Sequence, residues 1–345
     1  MALSQAAIED LARKGAERGV DLRPGLALVE QHLHTQVAAE QPFVDQASRY
    51  LIDAGGKRFR PMLVLLCGML GGARATDSAL VSAGVIVELV HLSTLYHDDV
   101  IDAAAVRRGH EAAHVKWSNT VAILTGDFLL ARASELSAAL GVEVTRIMAH
   151  TIADLCQGQI REINGSAAAV QHGSVCVAPD REHYLKVIGE KTASLIAASC
   201  RLGGLLSGQP RAAIEALTDY GWRLGMSFQL ADDLLDITGE EATSGKLPGT
   251  DLREGVLTLP VLLALQADGP GSELARFVAD PTDGNVDRAL ELLRGHPALE
   301  LARDAARIQA AKAKLALAGL TPPPALAPAL EGLLHLTERA ATRVT

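Results

Sequence analysis

Apolar residues along this chain recur at three- and four-residue steps, and that spacing restricts what it can fold into. In TDSALVSAGVIVELVHLSTLYHDDVID, TVAILTGDFLLARASELSAAL, REHYLKVIGEKTASLIAASCRLGGLL and AAIEALTDYGWRLGMSFQLADDLLDIT the apolar positions fall on helical faces. Period-two alternation of β-branched and aromatic residues is hard to find. LPVLLALQ, the tail DRALELLRGHPALELARDAARIQAAKAKLALAGL and a segment after TPPP extend the pattern. Asp77 before SALV and Asp180 before REHY stand where N-caps belong. The expectation is an all-α chain, a single bundle of ten or more helices, with residues 1–345 forming one domain. Hydrophobic residues at 48% and a mean hydropathy of +0.17 supply ample core. Two loops interrupt the helices, NGSAAAVQHGSVCVAPD (164–180) and TGEEATSGKLPGTDLREG (238–255). Long loops in compact folds are often functional.

Charge narrows the function classes. The net charge of −9 argues against general nucleic-acid binding. No uncharged apolar run reaches the roughly 18 residues of a membrane helix. The start, MALSQAAIEDLARKGAERG, lacks the basic-then-apolar order of a secretory signal, so the expected location is cytoplasmic. Cys67, Cys156, Cys176 and Cys200 are far apart, form no CxxC pair, and lie in or near apolar segments, where buried thiols are expected.

The acidic residues are placed against this grain. YHDDVID ends a run that is otherwise almost wholly apolar, and FQLADDLLDITG does so again 134 residues later. On a helix Asp98 and Asp102 share a face, with Asp99 about 100° round. Asp232, Asp233 and Asp236 repeat the pattern. One such cluster could be a solvated acidic face. Two, each closing an apolar helix, can face each other across a bundle and form an oxygen-rich mouth suited to Mg²⁺, which takes one or two carboxylates together with waters and substrate phosphates.

Basic residues gather where a phosphate-bearing substrate would need them. AGGKRFRP places Lys57, Arg58 and Arg60 after a glycine pair, and Pro61 is expected to open a helix whose dipole also favours an anion. VRRG adds Arg107 and Arg108 just past the first acidic cluster, and Lys191 and Lys246 are further candidates. The planar fork of Arg bonds two phosphate oxygens at once. One diphosphate would be held by basic side chains alone, a second through metal ions on the aspartates.

Taken together, GGKRFRP, HLSTLYHDDVID, RRG, GDFLLARA, KTASLIAAS, FQLADDLLD and GTDLREGVLTLP, in this order over roughly residues 45–265, resemble the trans-polyprenyl diphosphate synthases. The resemblance implies an isoprenoid-synthase bundle around a central elongation cavity, a homodimer, and head-to-tail condensation of isopentenyl diphosphate with an allylic diphosphate. It implies two to three Mg²⁺ ions on Asp98, Asp102 and Asp232, with Asp236 among the metal residues and Asp99 and Asp233 in support. Arg107, Lys191, Gln229 and Lys246 would hold the allylic diphosphate; Lys57, Arg60, His91 and Arg108, with Arg58, the isopentenyl diphosphate. Thr192 and Gln229 would aim oxygen dipoles at the allylic cation. One departure stands out: Val256 replaces a lysine common in the family's EGKxTLP segment.

In that family the residues four and five before the first aspartate floor the tunnel. Here they are Thr94 and Ser93, both small, with Leu89 and Val90 as a second layer and Tyr96 a bulky neighbour. Small residues imply a product longer than C20, with geranylgeranyl or farnesyl diphosphate as the alternative; the resemblance leaves room for transient delivery of that product to a membrane. A class I terpene cyclase would need aromatic walls, whereas aromatics are 3% of this chain. An HD-type phosphohydrolase would need several imidazoles around its metal, beyond His91 and His97. A regulatory subunit of a two-component synthase would usually lack the aspartate motifs.

Overall fold

The computed structural model describes residues 19–165, 180–239 and 247–342. Helices dominate, as the spacing predicts. They are α1 (Arg23–Gln36), α2 (Pro42–Asp53), α3 (Phe59–Leu70), α4 (Ser78–Ile101), the short α5 (Ala113–Lys116), α6 (Asn119–Leu140), α7 (Val142–Gly165) and α8 (Arg181–Ile188). Then come α9 (Ser194–Leu206), α10 (Arg211–Thr238), the short α11 (Thr250–Arg253), α12 (Leu259–Asp268), α13 (Glu273–Ala279), α14 (Asp283–Arg294), α15 (Ala298–Leu317) and α16 (Ala327–Thr342). The one departure among the described residues is a minimal hairpin, β1 (Val106–Arg107) with β2 (His110–Glu111), in which Arg107 faces His110. Its two-residue turn, Arg108 (φ 53°) and Gly109 (φ 80°), is left-handed at both positions, the geometry that suits a tight hairpin.

Helix starts follow local chemistry. Gln41 caps α2 through Val44 N at 2.7 Å, and Asp180 caps α8 through His183 N at 2.7 Å. Asp77 occupies the N-cap position of α4, but its carboxylate is taken by Arg74 N and Nε, each at 2.9 Å, so the expected cap bond is not made. Helix α3 begins at Phe59, two residues before Pro61; the proline stands within the first turn, where no intrahelical N–H bond is lost.

Helix α4 lies at the centre, packed by α1, α3, α6 and α9. It is long and apolar enough to cross a membrane, yet 67% of its most apolar window is buried inside the protein, as befits a core helix. Leu63, Leu65 and Leu66 of α3, Ile86 and Leu89 of α4, and Cys200 and Leu202 of α9 form one core. A second core joins the C-terminal half of α10 to α12, α14 and α15 through Leu234, Val261, Leu293 and Ala302. Helix α10 belongs to both, which fixes its aspartate end against α8 and α9. Cys67 and Cys200 are buried as expected, Cys156 is exposed on α7, and Cys176 lies outside the described residues.

The run from Arg181 to Leu206, expected as one helix, is broken by a π-helical turn at Gly189–Ala193. Such turns bulge one residue and occur often at functional sites. This one carries Lys191 and Thr192. Opposite it Gly225 of α10 comes so close that an added Cβ would lie 2.6 Å from Ala193 Cα, which brings Gln229 to Thr192 one turn later.

Candidate active site

The two aspartate clusters end α4 and α10, and between them lies a cavity of about 770 Å³ with an adjoining lobe of about 400 Å³. Asp98 and Asp232 line the larger space. Asp102 lines the lobe, and Lys191, Thr192 and Gln229 line both. Burial pushes the Asp98 carboxyl up to about 6, against the pull of Lys191 and with the push of Asp102.

The middle aspartates are both engaged by other side chains, although Asp233 also lines the lobe. Asp99 is fully buried and accepts Arg107 Nε at 2.6 Å, while its other oxygen has no hydrogen-bond partner. Asp233 accepts from Tyr184 OH at 2.5 Å and from Gln229 Nε2 at 2.8 Å, and burial lifts its carboxyl to about 7. With its NH₂ on Asp233, Gln229 turns its oxygen toward Thr192, whose hydroxyl donates at 2.9 Å. The Gln229 oxygen expected to face a cation is therefore engaged, and the lone pairs on Thr192 are the dipole left for that task. Asp236, expected among the metal residues, lines neither space; its carboxylate accepts Thr250 N at 3.1 Å and Asp251 N at 3.2 Å and so caps α11.

Among the described residues no three acid, imidazole or thiol side chains already converge as a metal cage. Mg²⁺ does not require one, since substrate phosphates and waters complete its shell. The donor set fits: oxygen ligands only, two carboxylates on opposite walls, and at Asp98 a carboxyl that burial holds high, which a bound cation would relieve. Asp98, Asp102 and Asp232 would hold the ions.

Away from the aspartates the cavity is lined by Lys57, Arg58, Arg60, His91 and Arg108, while Arg107 stands beside the first aspartate cluster, on Asp99. Arg60 is half-buried with a buried, unpartnered Nε, and desolvation lowers it to about 10, so it stays charged at neutral pH. Burial and the surrounding arginines push His91 well below its usual range, leaving a neutral ring. Arg58 differs from the expectation that it holds substrate, because Glu30, Glu88 and the Ile52 carbonyl occupy its guanidinium. Lys191 pairs with Glu162 of α7. Lys246 lies outside the described residues. Val256 lines the lobe beside Lys191, Asp251 and Glu254, an acidic corner where a lysine would have found partners.

The wall of the cavity corrects the tunnel residues read from sequence. Thr94 and Leu95 line it, with Leu155, Ile160, Ile196 and Phe228 opposite. Ser93, Leu89, Val90 and Tyr96 do not. The reason is helical phase: Leu89, Ser93 and Tyr96 form a stripe about 200° from the His91–Leu95–Asp98 stripe. Tyr96 turns away altogether, donating to Ala47 O at 2.6 Å and accepting Leu51 N at 3.2 Å.

His97 reaches across to α6, 3.2 Å from Ile123 O and 3.4 Å from Asp127, while His91 sits among arginines. No imidazole cluster gathers at the carboxylates among the described residues, which removes support for a phosphohydrolase metal centre. Sequence reasoning passed over Glu88, Glu162, Tyr184 and Phe228. Only Glu88 left a signal, three residues before His91 on the same face.

A deep cavity between two aspartate-ended helices, with a basic far end, is the architecture of an isoprenoid synthase. Residues 41–293 match the family model described as polyprenyl synthetase. A nonaprenyl diphosphate synthase of Mycobacterium tuberculosis is 45% identical over 300 residues, covering 86% of this chain and 87% of that protein. Two solved structures superpose closely. The decaprenyl diphosphate synthase from Rhodobacter capsulatus has a TM-score of 0.85 at 34% identity, covering 98% of this chain and 99% of that one. The polyprenyl synthase from Caulobacter crescentus, complexed with calcium and isoprenyl diphosphate, has 0.84 at 34%, covering 98% of both. The chain belongs to the polyprenyl synthetase family.

Proposed function

We propose that this protein is a prenyltransferase that joins isopentenyl diphosphate head-to-tail to an allylic diphosphate and makes a polyprenyl diphosphate longer than C20. The observation that carries this reading is the pairing of Asp98 and Asp232 across one cavity whose far end is cationic. The similarity to enzymes named for nonaprenyl and decaprenyl products supports the length.

Asp98, Asp102 and Asp232 would hold Mg²⁺ against the allylic diphosphate, and the metal supplies the positive charge that stabilises the leaving group. Lys191, tethered by Glu162, adds charge at the same place, with Lys246 as a further contact. Arg107 is fixed by Asp99 and presents its free edge there. Lys57, Arg60, His91 and Arg108 would hold isopentenyl diphosphate, with the neutral His91 donating a hydrogen bond. Thr192 offers its lone pairs to the developing cation. The double bond of isopentenyl diphosphate attacks the allylic carbon as the C–O bond breaks, leaving a tertiary cation on the isopentenyl unit; the departing diphosphate takes a proton from the neighbouring C2, and that C–H electron pair forms the new double bond. The chain's contribution is positioning and electrostatics, without a covalent nucleophile. The tail descends past Thr94, Leu95, Leu155 and Ile196, all small or aliphatic. We read residues 1–345 as one catalytic unit, working in the cytoplasm as a homodimer with two to three Mg²⁺ ions per site.

The test is incubation of the purified chain with labelled isopentenyl diphosphate, each allylic starter in turn, and Mg²⁺. Products beyond C20 are expected; a product that stops at C15, or phosphate release without chain growth, refutes the reading.

A further inference from the structure

Helix α4 carries a carboxylate that the condensation chemistry does not use. Glu88 is 2% exposed, lies on the same face as His91 and Asp98, and borders the cavity about 15 Å along the helix from Asp98. An unpaired carboxylate there would be costly. It is paired: Glu88 Oε1 accepts Arg58 Nη1 at 2.9 Å. From the other side Glu30 of α1 takes Arg58 Nε at 2.6 Å and Nη2 at 2.8 Å, and the Ile52 carbonyl takes Nη2 at 3.3 Å.

Arg58 is one of the described non-glycine residues with positive φ, at 49°, and Arg108 at 53° is another. Such a backbone persists where the surroundings hold it. The Arg108 guanidinium is held by the Leu51 carbonyl at 2.6 Å and by that of Gly55, at the end of α2. Between the two guanidiniums lies Gly56. A Cβ there would collide with Arg58 Nη1 and come within 3.0 Å of both Arg108 Nη atoms. Glu88, Arg58, Gly56 and Arg108 thus form one packed stack beside Lys57 and Arg60.

We propose that Glu88 is a positioning residue: by clamping Arg58 against Gly56 it sets the strained loop that carries Lys57, leads into Arg60 of α3 and packs against Arg108 of the hairpin turn, and so fixes affinity for isopentenyl diphosphate without acting on the allylic site. This rests on the function proposed above. Arg58 then serves as the pin of the loop and contacts no phosphate. Removing Glu88 also removes a negative charge near the anion site, which alone would favour binding. The rigidity of the four-bond clamp makes the geometric loss the larger effect.

Steady-state kinetics of Glu88→Gln test it, with each substrate varied in turn. KM for isopentenyl diphosphate rises about tenfold, while KM for the allylic substrate and kcat at saturation stay within about threefold. Glu88→Asp recovers part of the loss. Gly56→Ala leaves every ion pair's chemistry intact yet crowds both guanidiniums, and gives the same one-sided rise. It carries the test by itself if Glu88→Gln does not fold. An unchanged or lowered KM for isopentenyl diphosphate, or equal rises for both substrates, overturns the proposal. Failure of the wild-type protein to elongate any starter would instead refute the function reading.

Discussion

Burial lifts the Asp98 carboxyl to about 6, from an ordinary 3.8, in a place where the proposed chemistry needs it ionised. Because its folded value is the higher one, the folded state holds the proton more tightly. Its contribution to stability is full at pH values below about 4 and is lost as pH rises through about 6. At neutral pH the charged group therefore costs stability, about 1–3 kcal/mol. Asp98→Asn should raise Tm at pH 7.5 by differential scanning calorimetry, while lowering kcat by at least about 10²-fold. A fall in both would contradict the argument. The same electrostatics predict that Mg²⁺ with a diphosphate stabilises the wild type in a thermal melt more than either does alone, and that the Asp98→Asn variant shows less of this gain. Tyr96 offers a contrast: Tyr96→Phe frees the Ala47 carbonyl and Leu51 N–H, at about 1–3 kcal/mol, and should leave product length unchanged.

At the scale of elements, the phase of α4 decides which residues meet the growing chain. Thr94→Phe should shorten the product distribution on reversed-phase chromatography, because Thr94 lines the cavity. Val90→Phe points into the core, so it should cost about 1–3 kcal/mol by overpacking before it alters length. Helix α10 is held against the π turn by the absence of a side chain at Gly225. Gly225→Val should separate Gln229 and Asp232 from Lys191 and Thr192, and lower both Tm and activity.

These contacts also mark the limit of what the sequence discloses. The three-four spacing gave the helices, and the two Asp-Asp-x-x-Asp runs gave the mouth of the site, because both depend on neighbours a turn apart. Ser93 does not line the cavity because its stripe lies about 200° from that of Leu95, which a count back from Asp98 does not register. Asp236 and Arg58 were read as metal and substrate residues and Asp233 as a support of the metal site, yet their partners, α11, Glu30 and Tyr184, are up to 49 residues away and left no local trace. The π turn was hidden because its composition is that of the helix around it.

For the whole molecule, two cores joined along α10 hold the aspartate ends of α4 and α10 at opposite walls of one cavity. That arrangement is the central claim: one mouth, built by residues far apart in the chain, that binds a diphosphate through metal while a chain grows into an apolar space. The most direct measurement is product analysis of the purified 36.2 kDa chain with labelled isopentenyl diphosphate and an allylic starter, with and without Mg²⁺. The account predicts Mg²⁺-dependent products beyond C20, abolished by chelation and by Asp98→Asn or Asp232→Asn. Growth that ends at C15, or elongation that survives loss of either aspartate, would contradict it.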